Sequence, residues 1–356
     1  MVNFTPGPSQ LYFTVSDHIK RALRDGIPSL SHRSSSFEKI SQKTTEGLRE
    51  LLSIPSSHAI LFTGSATEVW ERSIQNLVEA ESYHFVNGAF SKRYHEIATQ
   101  LQKKALALEV KEGQGFTEPV VISDSAELIA VTHNETSTGV SWPLEKIYAL
   151  RKSNPNALLI VDAVSSLPYP AIDFNQVDSV FFSVQKAFGM PAGLGVWIVN
   201  ERCLAKAEAL QKKGVNIGTY HNLPTLSSFA KKHQTPETPN VLAIYVLGHV
   251  VEDFLRRGIL TLRRETEYKA AILYQALQTH PSLNAFVKDS SLQSKTVIVA
   301  EAGSKTKEIT LALQTKGLYP GDGYGKAKET QLRFANFPAH SKEQFELLVD
   351  TLETIR

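Results

Sequence analysis

The chain has 356 residues, 42% hydrophobic and 21% charged, enough to bury a large core and divide it between two units. Lys and Arg number 38 against 36 Asp and Glu, and a formal charge of +2 lacks the basic excess of a nucleic-acid binder, so small-molecule partners are expected. A lone cysteine, Cys203, excludes an intrachain disulfide and a cysteine-based metal site, while no apolar stretch approaches the roughly 20 residues of a membrane helix.

The N-terminal MVNFTPGPSQ has no basic segment followed by an apolar run, so neither secretion nor membrane insertion is expected, and the cytoplasm is the expected location. From about Ala59 to Val199 short apolar runs alternate with longer amphipathic segments, the pattern of βα units on a mainly parallel sheet. Strands are predicted at AILFT (59–63), YHFV (83–86), LIAVT (128–132), ALLIVD (157–162) and VFFSV (180–184), each rich in β-branched and aromatic residues. EVWERSIQNLV (68–78) and PLEKIYALRK (143–152) space their apolar residues by three and four, as helices packed on a sheet do. GVWIV (195–199) follows 180–184 too closely for a helical crossover and is expected as an antiparallel strand, so the sheet is mixed. Beyond about residue 200 long helical stretches take over, interrupted by an extended Pro-rich loop, QTPETPN (234–240). TVIVA (296–300), a helix through KTKEITLALQTKG, the strand QLRFANF (331–337) and a closing helix KEQFELLVDTLETI read as a second, smaller α+β unit.

Asp162 ends an apolar strand, where open α/β sheets place their ligand crevices and where an unpaired carboxylate is costly to bury. From the strand alone, a helix cap or turn residue is an equal reading. Lys186 emerges one βα step later, between an apolar run and the turn-rich AFGMPAGLG, where desolvation makes an amine nucleophilic. Together the two suggest a pyridoxal phosphate site, and chance explains the pair less easily than either residue alone. FTGSATE (62–68) passes from a strand end into a helix and offers N–H groups to a phosphate ester, although Ser and Thr cap helices widely and no Walker motif is present. Phe90 follows the strand YHFV and is either a stacking ring for a planar cofactor or an ordinary core residue. HEIA (95–98) lacks the second histidine of a zinc motif, and no metal is assigned.

SVQKAFGMPAGLG resembles the cofactor-lysine segment of the class V aminotransferases, VDAVSS their ring-aspartate segment, and THNETSTGV the loop between them. NFTPGPSQL and SHRSSSF (31–37) also match, so the resemblance spans essentially the whole chain. It implies a fold type I pyridoxal-phosphate transferase in the α/β class, with a large mixed sheet of the seven-stranded type and a small α+β C-terminal domain. The corresponding boundaries are 1–15 for an N-terminal segment packing with the small domain, 16–249 for the cofactor-binding domain and 250–356 for the small domain. By the same resemblance Lys186 is the Schiff-base lysine, Asp162 pairs the pyridinium nitrogen, Gln185 or Ala66 and Thr67 serve the phosphate, Thr136 reaches the ring hydroxyl, Phe90 stacks on the ring, and Val164 belongs to the aspartate segment that borders the cofactor. Arg333 matches the arginine that holds the substrate α-carboxylate, and Thr238 the threonine that reaches the phosphate of a neighbouring subunit's cofactor, which implies a homodimer.

His32 and Arg33 resemble the pair by which the phosphoserine branch of the family binds substrate phosphate. The function this implies is transfer of the amino group of L-glutamate to 3-phosphohydroxypyruvate, a phosphorylated 2-oxo acid, giving O-phospho-L-serine and 2-oxoglutarate in serine biosynthesis. The sequence departs from that branch where GYGKAKETQLR replaces an expected His-Arg motif, with Lys326 or Lys328 as candidates for the missing charge. NGAFSKR and HNETSTGV are closer to the alanine–glyoxylate and serine–pyruvate branch, the competing reading. A desulfurase-like class V lyase needs a cysteine on a mobile loop, whereas Cys203 lies in helical NERCLAKAEAL; a catalytically silent cofactor-binding protein is disfavoured by the intact Lys186, Asp162 and Arg333 set.

Overall fold

The computed structural model describes residues 1–116 and 120–355. In chain order these form β1 (Val2–Phe4), α1 (Val15–Arg24), α2 (Ser35–Leu52), β2 (Ala59–Thr63), α3 (Ala66–Leu77), β3 (Glu81–Val86), α4 (Ala89–Gln100) and β4 (Lys104–Glu109). Then come β5 (Leu128–Thr132), the hairpin of β6 (Asn134–Glu135) and β7 (Val140–Ser141), α5 (Leu144–Ser153), β8 (Leu158–Asp162), β9 (Ser179–Ser183) and β10 (Gly195–Val199). Four helices follow, α6 (Glu201–Lys212), α7 (Leu223–Ala230), α8 (Val241–Arg257) and α9 (Ile259–Thr279). The chain closes with β11 (Asn284–Ala285), β12 (Val297–Glu301), α10 (Thr306–Thr315), β13 (Leu318–Asp322), β14 (Gln331–Ala335) and α11 (Lys342–Thr354).

The large sheet has seven strands in the order β2-β10-β9-β8-β5-β3-β4. All run parallel except β10, which is antiparallel to both β2 and β9, because the short connection from β9 leaves no room for a crossover helix. Strand alternation divides the core. Ile60, Phe62, Val161 and Phe182 face one layer, which α2 and α8 cover, while Leu61, Ile160, Phe181 and Trp197 face the layer formed by α3, α4, α6 and α7. Burying each such side chain contributes about 1.5–3 kcal/mol, so both faces of the sheet are pinned by many independent terms.

The smaller sheet has the order β1-β13-β14-β12-β11, and its core draws Leu273 and Leu277 from α9, Ile309 from α10 and Phe345 and Leu348 from α11. The N-terminal strand joins it as a parallel edge, with Val2 opposite Leu318. Residues 249 and 250 lie inside α8, whose Val250, Val251 and Phe254 remain in the large core. We place the passage between the two units in α9, since its Leu262 belongs to the large core and its Leu273 to the small one. No helix among the described residues is long and apolar enough to cross a membrane.

Candidate active site

Strands β2, β5, β8 and β9 run in one direction and end at Thr63, Thr132, Asp162 and Ser183, so their C-terminal ends share one edge of the sheet. A cavity of about 470 Å³ opens there, and Lys186 and Asp162 line it with Trp70, Phe90 and Thr136. Its position is the usual crevice of an open α/β sheet.

Lys186 follows the end of β9 and is 7% exposed. Its Nζ donates to Thr136 Oγ1 at 2.8 Å and sits 5.0 Å from the centre of the Phe90 ring. Burial pushes the ammonium down to about 8, against the pull of the Asp162 and Glu135 carboxylates, which favour the charged form. The N-terminal segment walls the lysine on another side. A Cβ at Gly7, whose φ is +156°, would lie 3.0 Å from Lys186 Cε.

Asp162 is 2% exposed, and burial raises its carboxyl to about 6. Three things hold it lower than burial alone would: the Val164 N–H, 2.9 Å from Oδ1, the Trp70 indole N–H, 2.8 Å from Oδ2, and the Lys186 charge. The carboxylate is thereby fixed in orientation at the cavity wall while retaining free lone pairs.

The start of α3 supplies the polar end of the cavity. Ser65 caps the helix by accepting the Glu68 N–H at 3.1 Å, and the Ala66 N–H donates to Ser183 Oγ at 2.8 Å. Ser65, Ala66, Thr67, Val164 and Gln185 all line the cavity beside this positive helix end. Phe90 is held by the start of α4, where the fully buried Glu135 accepts the N–H groups of Phe90 and Ser91 at 3.4 and 2.9 Å. Gly88 is required there because a Cβ would stand 2.4 Å from Glu135 Cγ.

Arg333 on β14 bridges the two units. Its Nε donates to the Asp322 carbonyl at 2.6 Å and a terminal nitrogen to the Thr136 carbonyl at 3.3 Å. Tyr324 continues the ring of contacts, lying 5.5 Å from the Arg333 guanidinium and 5.1 Å from the Phe90 ring. His32, Arg33 and Thr238 are not among the residues that line the cavity. Arg33 instead donates to the Thr235 and Pro236 carbonyls at 2.6 and 3.2 Å and to the Gln234 side chain at 3.1 Å, and it lies over Phe229. Thr238 is exposed on the same loop, and Lys326 and Lys328 are exposed between β13 and β14. Cys203 is fully buried in α6 and donates its thiol to the Asp178 carbonyl at 3.4 Å, a packed position without access to the cavity.

Sequence reasoning passed over Trp70, Glu135, Ser183 and Tyr324. Only the fold shows what Trp70 and Glu135 meet.

The residue set fits pyridoxal phosphate: a buried carboxylate, an amine of lowered pKa, a half-buried aromatic ring and a helix start rich in hydroxyls around one cavity. The family model described as Aminotransferase class-V matches residues 1–323. A solved phosphoserine aminotransferase from Cytophaga hutchinsonii is 48% identical, with a TM-score of 0.98 over 100% of this chain and 99% of that one. A curated phosphoserine aminotransferase from Nocardioides sp. is 26% identical over 99% of this chain and 94% of its own length. An alanine–glyoxylate aminotransferase from Nostoc sp., 20% identical with a TM-score of 0.82 over 99% of this chain and 95% of that one, shares the fold. The chain belongs to the class V aminotransferases, enzymes that work with pyridoxal phosphate.

Proposed function

We propose that this aminotransferase moves the amino group of L-glutamate to 3-phosphohydroxypyruvate, yielding 2-oxoglutarate and O-phospho-L-serine. The observation that carries this reading is the 48% identity and full-length superposition with the Cytophaga phosphoserine aminotransferase.

Bound pyridoxal phosphate supplies an electron sink for the pair released when the substrate Cα–H bond breaks. Lys186 would hold the cofactor through its Nζ, which Thr136 aims, and the same amine would serve as the base for the substrate Cα proton. Asp162 would partner the ring nitrogen and keep it protonated, Phe90 would cover the ring, and Ser65, Ala66, Thr67 and Gln185, which line the cavity at the start of α3 and beside Lys186, would hold the phosphate. Arg333 turns its guanidinium from the Thr136 carbonyl to the substrate α-carboxylate. His32 and Arg33 select the phosphorylated side chain, and Thr238, exposed outside its own cavity, reaches the phosphate held by a second copy, so the working unit is a homodimer. The cytoplasm is the proposed location.

The test is the visible absorbance of the loaded protein during separate titrations with L-glutamate, O-phospho-L-serine, L-serine and L-alanine. Bleaching by glutamate, and by phosphoserine at far lower concentration than serine or alanine, supports the assignment. The tether of Arg33 to the 234–236 loop favours one second reading, a small-amino-acid aminotransferase of the alanine–glyoxylate kind, which bleaching by alanine or serine without preference for phosphoserine would establish.

A further inference from the structure

Trp70 has no role in the resemblance, yet it touches the residue on which the cofactor's electronics depend. It sits in the first half of α3, 6% exposed, and lines the cavity beside Asp162. Its ring stacks on Tyr94 with centroids 5.9 Å apart and planes 19° apart, and the Tyr94 hydroxyl shares a 2.6 Å hydrogen bond with Ser73 Oγ. The indole is therefore positioned by its own helix and by α4, independently of the carboxylate it meets. An indole N–H donates and never accepts, so the 2.8 Å contact with Asp162 Oδ2 has one polarity.

That polarity has a consequence for proton placement. A carboxylate that receives a hydrogen bond is a weaker base than one that does not. Paired with a pyridinium, a weaker carboxylate base leaves the shared proton on the ring nitrogen, where it makes the ring an electron acceptor. Burial works in the opposite sense on Asp162, and the Val164 N–H is its other close donor.

We propose that Trp70 is a positioning residue for Asp162, its indole N–H orienting the carboxylate and holding the shared proton on the cofactor's ring nitrogen. This rests on the reading of Asp162 as the ring-nitrogen partner. Phenylalanine at position 70 preserves the stack on Tyr94 and removes only the donor.

The experiment follows the 15N chemical shift of ring-labelled pyridoxal phosphate bound to the unmutated protein and to the Trp70→Phe, Tyr94→Phe and Asp162→Asn variants, as pH is varied. In Trp70→Phe the carboxylate becomes the stronger base and draws the shared proton off the ring nitrogen, so the 15N signal on the protonated side of the titration moves from the pyridinium toward the neutral-pyridine value, and kcat falls roughly ten- to a hundredfold with little change in KM. Tyr94→Phe disturbs the same packing cluster without touching Asp162 and leaves the ring-nitrogen titration unchanged. A Trp70→Phe titration matching the unmutated protein, while Asp162→Asn shifts strongly, overturns the role of Trp70 and leaves that of Asp162 standing. Unchanged titrations in both variants overturn both. A measurement without mutation guards against misfolding: in the cofactor-free protein one of the three indole N–H proton signals must titrate with Asp162 near pH 6, and three pH-independent signals contradict the contact.

Discussion

The Thr136 hydroxyl accepts a hydrogen bond from Lys186 Nζ at 2.8 Å, while the Thr136 carbonyl accepts one from Arg333 of the smaller sheet at 3.3 Å. One residue of the loop after β6 thus sets the height of the amine and meets the arginine proposed for the substrate carboxylate. Turning Arg333 toward a substrate releases the carbonyl but not the hydroxyl, so substrate binding leaves the aim of Lys186 intact.

The lowered pKa of Lys186 has a direct kinetic reading. Only the neutral amine captures an aldehyde, and burial brings its midpoint down to about 8 from the ordinary 10.5. At pH 8 about half of the amine is neutral, against roughly 0.3% for an unperturbed lysine, an advantage of about a hundredfold. Stopped-flow absorbance of cofactor-free protein mixed with pyridoxal phosphate should show a capture rate that rises through about pH 8 and levels off. Lys186→Ala should give no covalent capture and no amino transfer. A rate still climbing at pH 10, or steady turnover by the alanine variant, contradicts the assigned role.

Asp162 makes the cofactor-free protein sensitive to pH in a defined direction. Its folded carboxyl is raised to about 6 from 3.8, so the folded state binds the proton more tightly than the unfolded chain. Its stability contribution is complete below about pH 3.8 and lost as pH rises through about 6. Asp162→Asn cannot ionise, and without cofactor it should be more stable than the unmutated protein above pH 6 by about 3 kcal/mol, converging with it near pH 4. Urea unfolding at the two pH values measures this. With pyridoxal phosphate bound the order should reverse, because the variant loses the partner of the ring nitrogen.

How much of this was legible in the sequence depends on the range of the interactions. Strands β2, β5 and β10 match the predicted 59–63, 128–132 and 195–199 residue for residue, because continuous burial on both faces leaves an unmistakable apolar run. The antiparallel setting of β10 followed from connection length alone. Exposed and very short strands were harder. KALALE of β4 is largely exposed or half-buried at the end of the sheet, and the three-residue β1 finds its partner across the whole chain at β13. Among candidate residues, Lys186 and Asp162 stood out because Asp162 ends one apolar strand and Lys186 follows another. Trp70 meets Asp162 across 92 positions, and the destination of the Arg33 guanidinium depends on a loop 201 to 203 residues away; periodicity carries neither.

Next to the start of α3, proposed to hold the cofactor phosphate, His221 lies between two carboxylates. Its Nδ1 pairs with Glu68, which also accepts the Gly64 N–H at 2.8 Å, and its Nε2 is 3.1 Å from Glu237 of the loop that carries Thr238. Burial alone would lower the imidazole's pKa, but the two flanking carboxylates of Glu237 and Glu68 outweigh it and raise the pKa to about 9. A raised folded-state pKa contributes stability that is full below about 6.5 and lost as pH rises through about 9. His221→Gln should therefore cost about 2–3 kcal/mol at pH 6 and much less at pH 9.5. Denaturant midpoints of the two proteins at each pH provide the check, and a pH-independent difference would argue for packing instead of charge.

Arg33 poses the sharpest question about substrate choice. Its guanidinium is bonded to two carbonyls and one amide of the 234–236 loop, which leaves the charge intact while using the donor fork. If it meets the substrate phosphate, the phosphate must compete with these neutral acceptors, and a dianion wins that competition because it adds the attraction of opposite charges and a two-pronged fit to the guanidinium fork. Arg33→Ala should then lower kcat/KM for O-phospho-L-serine by tens- to thousands-fold, the effect of losing about 2–5 kcal/mol, with a much smaller loss for L-serine. Arg33→Lys keeps the charge but not the fork and should fall between the two. Equal losses for the phosphorylated and the plain amino acid in Arg33→Ala would mean that the arginine acts only as the tether of the loop. The basis for phosphate recognition would then have to be sought in Lys326 and Lys328, whose alanine variants would carry the phosphoserine-specific loss.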